Sequence, residues 1–355
     1  MRNQQAPAQE ALPVGVVIPT LNAMPLLPAH VESMRPWLPL VREIIVVDSH
    51  SEDGSADYLR EALAAHEVEI HQRPRGLYQA WNFGISRIRS PYVYISTVGD
   101  SITADGLRHL VAVAEALEVD IVLSPPAFID ERGQPIEHID WPIHRLLREL
   151  RLHGPARLSR WAAFGLAVIS GGQALLGSSA SNLYRSECLQ QRPFSPDYGT
   201  AGDTAWGLQN ALQLTFAVTP AKFSTFREHE KAYAASTYAV PELVRRLEEL
   251  AEQTFATALR DDPSQAAAAE AAAVARLFMV REQIRVHQRR LSAARRSPGL
   301  PWFLRPGAWR ARWRRNAARR AFERTVDRFF RELDHRPAPA GEFVELPRCE
   351  WARSG

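Results

Sequence analysis

Residues 76–100, GLYQAWNFGISRIRSPYVYISTVGD, constrain the fold more than any other stretch of this chain. They read as a loop, a helix, a turn and a buried strand that ends on a lone acid. Residues 92–96 are a short β-rich run, and Asp100 stands just past it. In an open α/β sheet, ligands bind beyond the carboxyl ends of the strands. An acid at that place is positioned to hold a cation or a ligand hydroxyl.

The chain before and after this stretch repeats the same plan. Residues 14–20 (VGVVIPT) are nearly all apolar, as a strand buried on both faces is, and Pro19 stops the run. A Pro-rich helical segment follows over about 26–40. Residues 43–48 (EIIVVD) form a second buried strand that again ends on an acid. Gly54 marks a tight bend, and Ser55 and Asp57 are candidate caps of the next helix. A short strand at 68–71, a helix at 104–117 and a strand at 121–124 complete the series. Strands alternating with helices predict βαβ units and a mostly parallel sheet. Right-handed crossovers then set Thr20, Asp48 and Asp100 along one edge, the expected ligand cleft.

A length of 355 residues allows one large α/β domain with an appendage, or two domains. A hydrophobic fraction of 46% argues against global disorder. The net charge of +3 hides an asymmetry, because most of the basic excess lies in the last third. Cys188 and Cys349 make neither a disulfide framework nor a zinc-ligand set, so a reducing compartment is expected. The N-terminus has no apolar h-region, so no signal peptide is expected. The most apolar stretch, 161–177, is interrupted by Gly165 and by 170–173 and is short for a membrane span. It is expected to be a buried strand and loop. Residues 203–214 fit a helix with Asp203 in its first turn, followed by a strand at 214–218 and a polar loop at 227–237. After about Ala239 come three long helical patterns, 241–260, 264–296 and 309–333. These patterns predict a flexible N-terminus over 1–13, an α/β domain over 14–238 and a helical, Arg-rich region over 239–355.

A series of segments in order then resembles the inverting family 2 glycosyltransferases. They are VVIPTLN at the first strand, IIVVDSHSEDGS at the second, GLYQAWNFGI in the helix, GDS after the next strand, AGDTAWGLQNAL, and finally REHEKAYAAS. The resemblance covers about 14–237 and is closest to the subgroup that modifies bacterial polysaccharides. It implies the GT-A fold, a Rossmann-like, mostly parallel sheet flanked by helices. It implies that Pro19, Thr20 and Asn22 line the nucleotide pocket and that Asp48 binds the base or ribose. Gly76, Ala80 and Asn82 match the helix that flanks the diphosphate and sugar. Asp100 matches the last acid of the metal-binding DXD element, Asp203 the catalytic base, and His229 a further metal or diphosphate contact. The sequence departs from the family pattern at Val98, which replaces the first acid of DXD, and at Ser49, Ser101 and Gly202, where acids are common. Read singly, Asp48 and Asp100 are ordinary strand-end caps and Asp203 an acid favoured at a helix N-terminus. Their joint order carries the reading.

The resemblance implies transfer of a sugar, with inversion, from a nucleotide-diphosphate donor to a glycan or lipid-linked acceptor. The setting would be bacterial surface polysaccharide synthesis, in the cytoplasm or at the inner membrane face. It also implies a divalent cation, Mg²⁺ or Mn²⁺, held by Asp100 together with substrate phosphates. The alternative that Val98 motivates is a catalytically degenerate nucleotide-sugar-binding or scaffold protein. A nucleotidyltransferase would want a Gly-rich phosphate loop after the first strand, where this chain has PTLNAMPLLP. A dehydrogenase would want G-x-G-x-x-G after a strand, and none occurs.

Residues 305–331 interleave many arginines with Trp309, Trp313, Phe322, Phe329 and Phe330. Two readings stand side by side. One is a helix lying on an anionic membrane surface. The other is a helix packed on the catalytic domain with a solvated Arg face. No nucleic-acid motif accompanies the charge, and no nucleic-acid partner is expected.

Overall fold

The computed structural model describes residues 11–139, 141–170, 175–228, 241–264, 269–296, 306–332 and 335–337. Its strands, in chain order, are β1 (Val14–Thr20), β2 (Glu43–Asp48), β3 (Val68–Gln72), β4 (Tyr92–Ile95), β5 (Ser101–Ile102), β6 (Ile121–Leu123), β7 (Ala127–Ile129), β8 (Pro135–Ile136), β9 (Ala156–Leu158), β10 (Leu183–Arg185), β11 (Phe216–Val218), β12 (Ser224–Arg227) and β13 (His335–Pro337). The helices are α1 (Leu27–Met34), α2 (Ser55–Ala62), α3 (Leu77–Arg87), α4 (Ala104–Ala116), α5 (Pro142–Leu150), α6 (Arg160–Ser170), α7 (Ser186–Gln191), α8 (Gly202–Asn210), α9 (Pro241–Asp261), α10 (Ala269–Arg296) and α11 (Pro306–Glu332).

Among the described residues, nine strands form one sheet in the order β13-β9-β11-β6-β10-β4-β1-β2-β3. The four N-terminal strands pair in parallel. Beyond β4 the sheet is mixed: β10 runs antiparallel between β4 and β6, β11 is parallel to β6, and β9 and β13 are antiparallel. The all-apolar runs occupy the centre because both faces of the sheet are covered there. Val14, Val16, Val17 and Ile18 are fully buried. α3 lies directly on this centre, because a Cβ at Gly84 would stand 2.5 Å from a methyl of Val17. A second, four-stranded sheet in the order β5-β12-β7-β8 stands beside the ligand edge.

Residues 160–170, expected as strand and loop, instead form the buried helix α6. A continuous apolar run does not by itself separate a buried strand from a buried helix. The glycine that suggested a break has a packing role: a Cβ at Gly165 would lie 2.0 Å from the ring of Phe329 on α11.

The C-terminal helices share the main core. Leu247 and Ala251 of α9, Val274 and Leu277 of α10, and Val326, Phe329 and Phe330 of α11 join one apolar cluster with Val17, Tyr78 and Trp206. α10 and α11 form an antiparallel hairpin, with Arg276 paired to Glu332 at one end and Gln288 bonded to Arg315 farther along. Among the described residues, no helix is long and apolar enough to cross a membrane.

Candidate active site

β1 and β2 end in register, with Thr20 opposite Asp48. The two loops that follow are joined by side chains of the SHSEDGS segment. Asn22 adopts a left-handed conformation (φ 46°), which Asn tolerates better than most residues. Its N–H donates to Ser51 Oγ at 2.9 Å, and its Oδ1 accepts from the Glu52 N–H at 2.9 Å. The Met24 N–H donates to Asp53 Oδ2, and the Ser51 N–H to Asp48 Oδ2, both at 2.9 Å. Asn22 therefore builds the rim of the pocket, whereas Asp48 keeps a free atom. Asp48 Oδ1 and Thr20 Oγ1 are enclosed and have no hydrogen-bond partner among the described residues. Leaving such an atom unmatched costs about 1–3 kcal/mol, which a ligand hydroxyl or ring N–H recovers. Pro19 is half-buried on the same strand end.

Asp100 is buried at the junction of the two sheets. Its Oδ1 accepts from the Arg227 N–H at 3.0 Å, and its Oδ2 from the Ser178 hydroxyl at 3.3 Å. Burial pushes its carboxyl up to about 7, held back by those two bonds and by the Arg227 charge. The Arg227 guanidinium itself donates to the carbonyls of Gly99, Asp130 and Glu131. Behind Asp100, the buried His30 bonds its carbonyl through Nδ1 at 3.0 Å and Ser96 Oγ through Nε2 at 3.1 Å. Burial pushes His30 down to about 4, so the ring is neutral: Nδ1–H donates to the carbonyl and Nε2 accepts from Ser96.

α3 organises the segment that leads into α8. Asn82 clamps the backbone of Phe194, accepting from its N–H at 2.9 Å and donating to its carbonyl at 2.8 Å. Phe194 in turn stacks on Tyr78, with ring centroids 5.6 Å apart, and meets Trp81 edge-on. This fixes the segment that leads into α8, whose first turn carries Asp203. The Thr204 N–H donates to Asp203 Oδ1 at 2.7 Å. Burial pushes the Asp203 carboxyl up to about 6, with the Thr204 N–H and the Tyr78 hydroxyl pulling it back. Gly202 has a steric reason: a Cβ there would stand 2.5 Å from the Tyr78 ring and 2.7 Å from the Ser195 carbonyl. Gly76 opens α3 in an extended conformation, and Ala80 is buried on its inner face.

Each acid stands near a buried tyrosine of the central sheet. Asp100 raises the pKa of the buried Tyr94 on β4, and Asp203 that of the buried Tyr184 on β10, in each case after the larger effect of burial. β4 and β10 pair directly, with Tyr184 opposite Val93. Tyr184 thus shares a face with Val93, whereas Tyr94 points to the other face. Thr20, Asp48 and Asp100 stand at the carboxyl ends of β1, β2 and β4, and Asp203 reaches that edge beside the Tyr78 hydroxyl in the first turn of α3. His229 lies outside the described residues. His30, Ser178, Arg227 and Tyr78 join the site without having been singled out as site residues in the sequence. The one local signal for His30 was a histidine on the apolar face that Leu27, Val31 and Met34 define.

Among the described residues, no group of three or more His, Cys, Asp or Glu is placed to hold a metal ion. Asp100 is one buried carboxylate with little counter-charge, each oxygen keeping a lone pair. That donor set fits a divalent cation shared with phosphates, since such ions are bound through one or two carboxylates plus substrate oxygens. It does not make a site held by the protein alone.

Residues 15–181 match the family described as Glycosyl transferase family 2. This segment is a family 2 glycosyltransferase domain. No curated protein matches the sequence. Among solved structures, S. aureus TarS 1-349 in complex with UDP-GlcNAc is similar over 90% of this chain and 91% of that one, at a TM-score of 0.55 and 16% identity. The larger S. aureus TarS structure matches over 88% of this chain but 55% of that one, with a TM-score of 0.52 and 14% identity. A mannosyltransferase from Pyrobaculum calidifontis, in complex with GDP-Man and Mn²⁺, matches with a TM-score of 0.46 and 17% identity over 91% of this chain and 86% of that one, too distant to carry an argument. At these identities the TarS likeness speaks for the fold, which is GT-A-like, and the family match for glycosyltransferase chemistry.

Proposed function

We propose that this glycosyltransferase inverts the anomeric centre as it moves a sugar from a nucleotide-diphosphate donor to a glycan or lipid-linked acceptor of a bacterial surface polysaccharide. The observation that carries the reading is that two buried acids, Asp100 past the end of β4 and Asp203 beside Tyr78 at the start of α3, border the strand ends where Thr20 and Asp48 keep unmatched atoms. One acid stands at the strand end where the diphosphate is expected, and the other at the start of a helix fastened to α3. Thr20 Oγ1 and Asp48 Oδ1 would recover their missing hydrogen bonds from the nucleoside, with Pro19 and the Asn22 rim shaping its pocket. Gly76, Ala80 and Asn82 belong to the helix beside the sugar; Asn82 acts there through Phe194. Asp203 would take the proton of the acceptor hydroxyl as that oxygen attacks, and a single displacement inverts the centre.

Asp100 would hold a divalent cation jointly with the diphosphate, and when bound that cation supplies charge neutralisation to the leaving group. His229 remains a proposed contact at the same place. The division into 14–238 and 239–355 is proposed as catalytic domain and extension, although both share one core. UDP-GlcNAc bound to TarS makes UDP sugars the first donors to test. The proposed setting is the cytoplasmic side, with the exposed part of 305–331 around Trp309 and Trp313 turned to an anionic membrane surface.

Val98 in place of an acid, with no acidic cluster around Asp100 among the described residues, supports the second reading of a donor-binding scaffold. A thermal-shift screen with UDP, GDP, dTDP and CMP sugars, each with Mn²⁺, Mg²⁺ or EDTA, tests both. Ligands that bind the native state raise apparent stability by mass action. The transferase reading expects a metal-dependent shift with one nucleotide that Asp100→Ala removes, followed by turnover with an acceptor. A shift without turnover on any acceptor supports the scaffold. No shift with any donor contradicts both.

A further inference from the structure

Between residues 286 and 320 the sequence carries eleven arginines and no acid. The structure divides the α10–α11 hairpin accordingly. In the half packed on the catalytic domain several arginines are paired: Arg276 with Glu332, Arg328 with Glu332, and Arg285 with Glu248, Glu252 and Glu282, while Arg281 lies over the Phe322 ring. Arg145 on α5 likewise pairs with Glu323 and Asp327 of α11. In the distal half, Arg290, Arg310, Arg312 and Arg314 are exposed and make no ion pair among the described residues.

His287, Arg290, Arg310 and Arg314, with Gly307 and Ala311, line a cleft of about 350 Å³ between the two helices. No carboxylate borders it. His287 Nδ1 is enclosed beside it without a partner among the described residues. Burial, Arg290 and Arg314 lower the pKa of His287, which keeps the ring neutral amid the arginines.

The same half carries the two most exposed large apolar side chains of the described residues. Trp309 is 60% exposed and Trp313 67%. Four residues apart, they share one face of α11. Arg310 and Arg314 flank that face on the cleft side and Arg312 on the other. Buried Ala308, Ala311 and Ala318 face the hairpin interior. Indoles sit well at headgroup level, and clustered guanidinium groups are drawn to anionic lipid. A second copy of this chain would bring like charges together, which disfavours self-association through this face.

We propose that the distal half of the hairpin is a docking surface for anionic phospholipid, with the His287–Arg290–Arg310–Arg314 cleft taking a headgroup phosphate and Trp309 and Trp313 entering the interface. The proposal rests on the membrane-side reading of 305–331 and is independent of the transfer chemistry.

Flotation of the full-length protein with vesicles tests it. Phosphatidylglycerol-containing vesicles should carry the protein at physiological salt, and pure phosphatidylcholine vesicles at least about tenfold less of it. Raising the salt should release it. The triple variant Arg290→Gln/Arg310→Gln/Arg314→Gln should lose binding about tenfold or more. The pair Trp309→Ala/Trp313→Ala, which removes only exposed side chains, should lose it severalfold and serves alone if the triple variant does not fold. Both should keep the parent melting temperature and donor-induced shift. Failure to float with anionic vesicles, equal binding to neutral ones, or variants that bind like the parent would overturn the proposal. Capture of a labelled RNA without capture by vesicles would overturn it in favour of a nucleic-acid surface. Vesicle binding without any donor shift would leave it standing and count against the transfer reading alone.

Discussion

Asn82 holds Phe194 by both backbone polar atoms, its Oδ1 2.9 Å from the N–H and its Nδ2 2.8 Å from the carbonyl. Asn82, one of the α3 residues proposed to flank the sugar, thus fastens the segment that leads to Asp203. Asn82→Ala leaves two half-buried backbone groups unmatched, at about 1–3 kcal/mol. Asn82→Asp also loses the donor and sets a carboxylate against a carbonyl. Thermal unfolding should show both variants below the parent, with Asp the lower. Turnover should fall more than donor affinity, because the part released carries the base. Unchanged melting of Asn82→Ala would remove the clamp.

Gly202 stands where the family resemblance expects an acid, and here the Tyr78 ring occupies that space. Restoring the acid should therefore harm this protein. Gly202→Glu and Gly202→Ala both force a Cβ against the ring and the fixed Ser195 carbonyl, and overpacking of this kind costs about 1–3 kcal/mol. Chemical denaturation of both variants checks this. A Gly202→Glu variant as stable as the parent, with raised activity, would contradict the packing argument.

The pH dependence follows from the raised pKa of Asp203. A general base must be ionised, so the rate should climb with pH through an acid limb centred at about 6 and level off above it. The stability effect has a definite sign. Between the unfolded value of about 3.9 and the folded value of about 6, the native state holds a proton that the unfolded chain has released. The contribution is full below the unfolded value and is lost as pH rises through the folded one. Other groups titrate in the same window, His30 in the opposite sense, so the difference between the parent and Asp203→Asn isolates it. The variant should gain in melting temperature relative to the parent as pH rises from acid to neutral. A constant difference would mean that the carboxyl is not held out of water.

The parallel half of the sheet and its ligand edge were legible because their signals are local. Each all-apolar run buries itself, and Thr20, Asp48 and Asp100 mark where the runs stop. The antiparallel insertion of β10 between β4 and β6 left no such mark. Nor did the bonds that set the site, because their partners are far apart in sequence: 112 residues for Asn82 and Phe194, 127 for Asp100 and Arg227, and 70 for His30 and Asp100. A side chain announces that it needs a partner, not which backbone will supply it. The nature of α6 was hidden for a related reason. Gly165 reads as a break until Phe329, contributed by a helix far along the chain, fills its place. In the tail, Val326, Phe329 and Phe330 pack on the domain, as the packed-helix reading expects, whereas Trp309 and Trp313 stay exposed.

The central claim is that Asp203 is the base of a sugar transfer, and Asp203→Asn tests it most directly. The substitution keeps the shape of the side chain and an oxygen to accept the Thr204 N–H. Donor binding by calorimetry and transfer with an acceptor should be measured on the same preparation. Transfer should fall by at least about a hundredfold, the lower range for a lost general base, while donor affinity stays within a few-fold of the parent. Transfer that survives, or donor affinity lost in equal measure, would contradict the role given to Asp203.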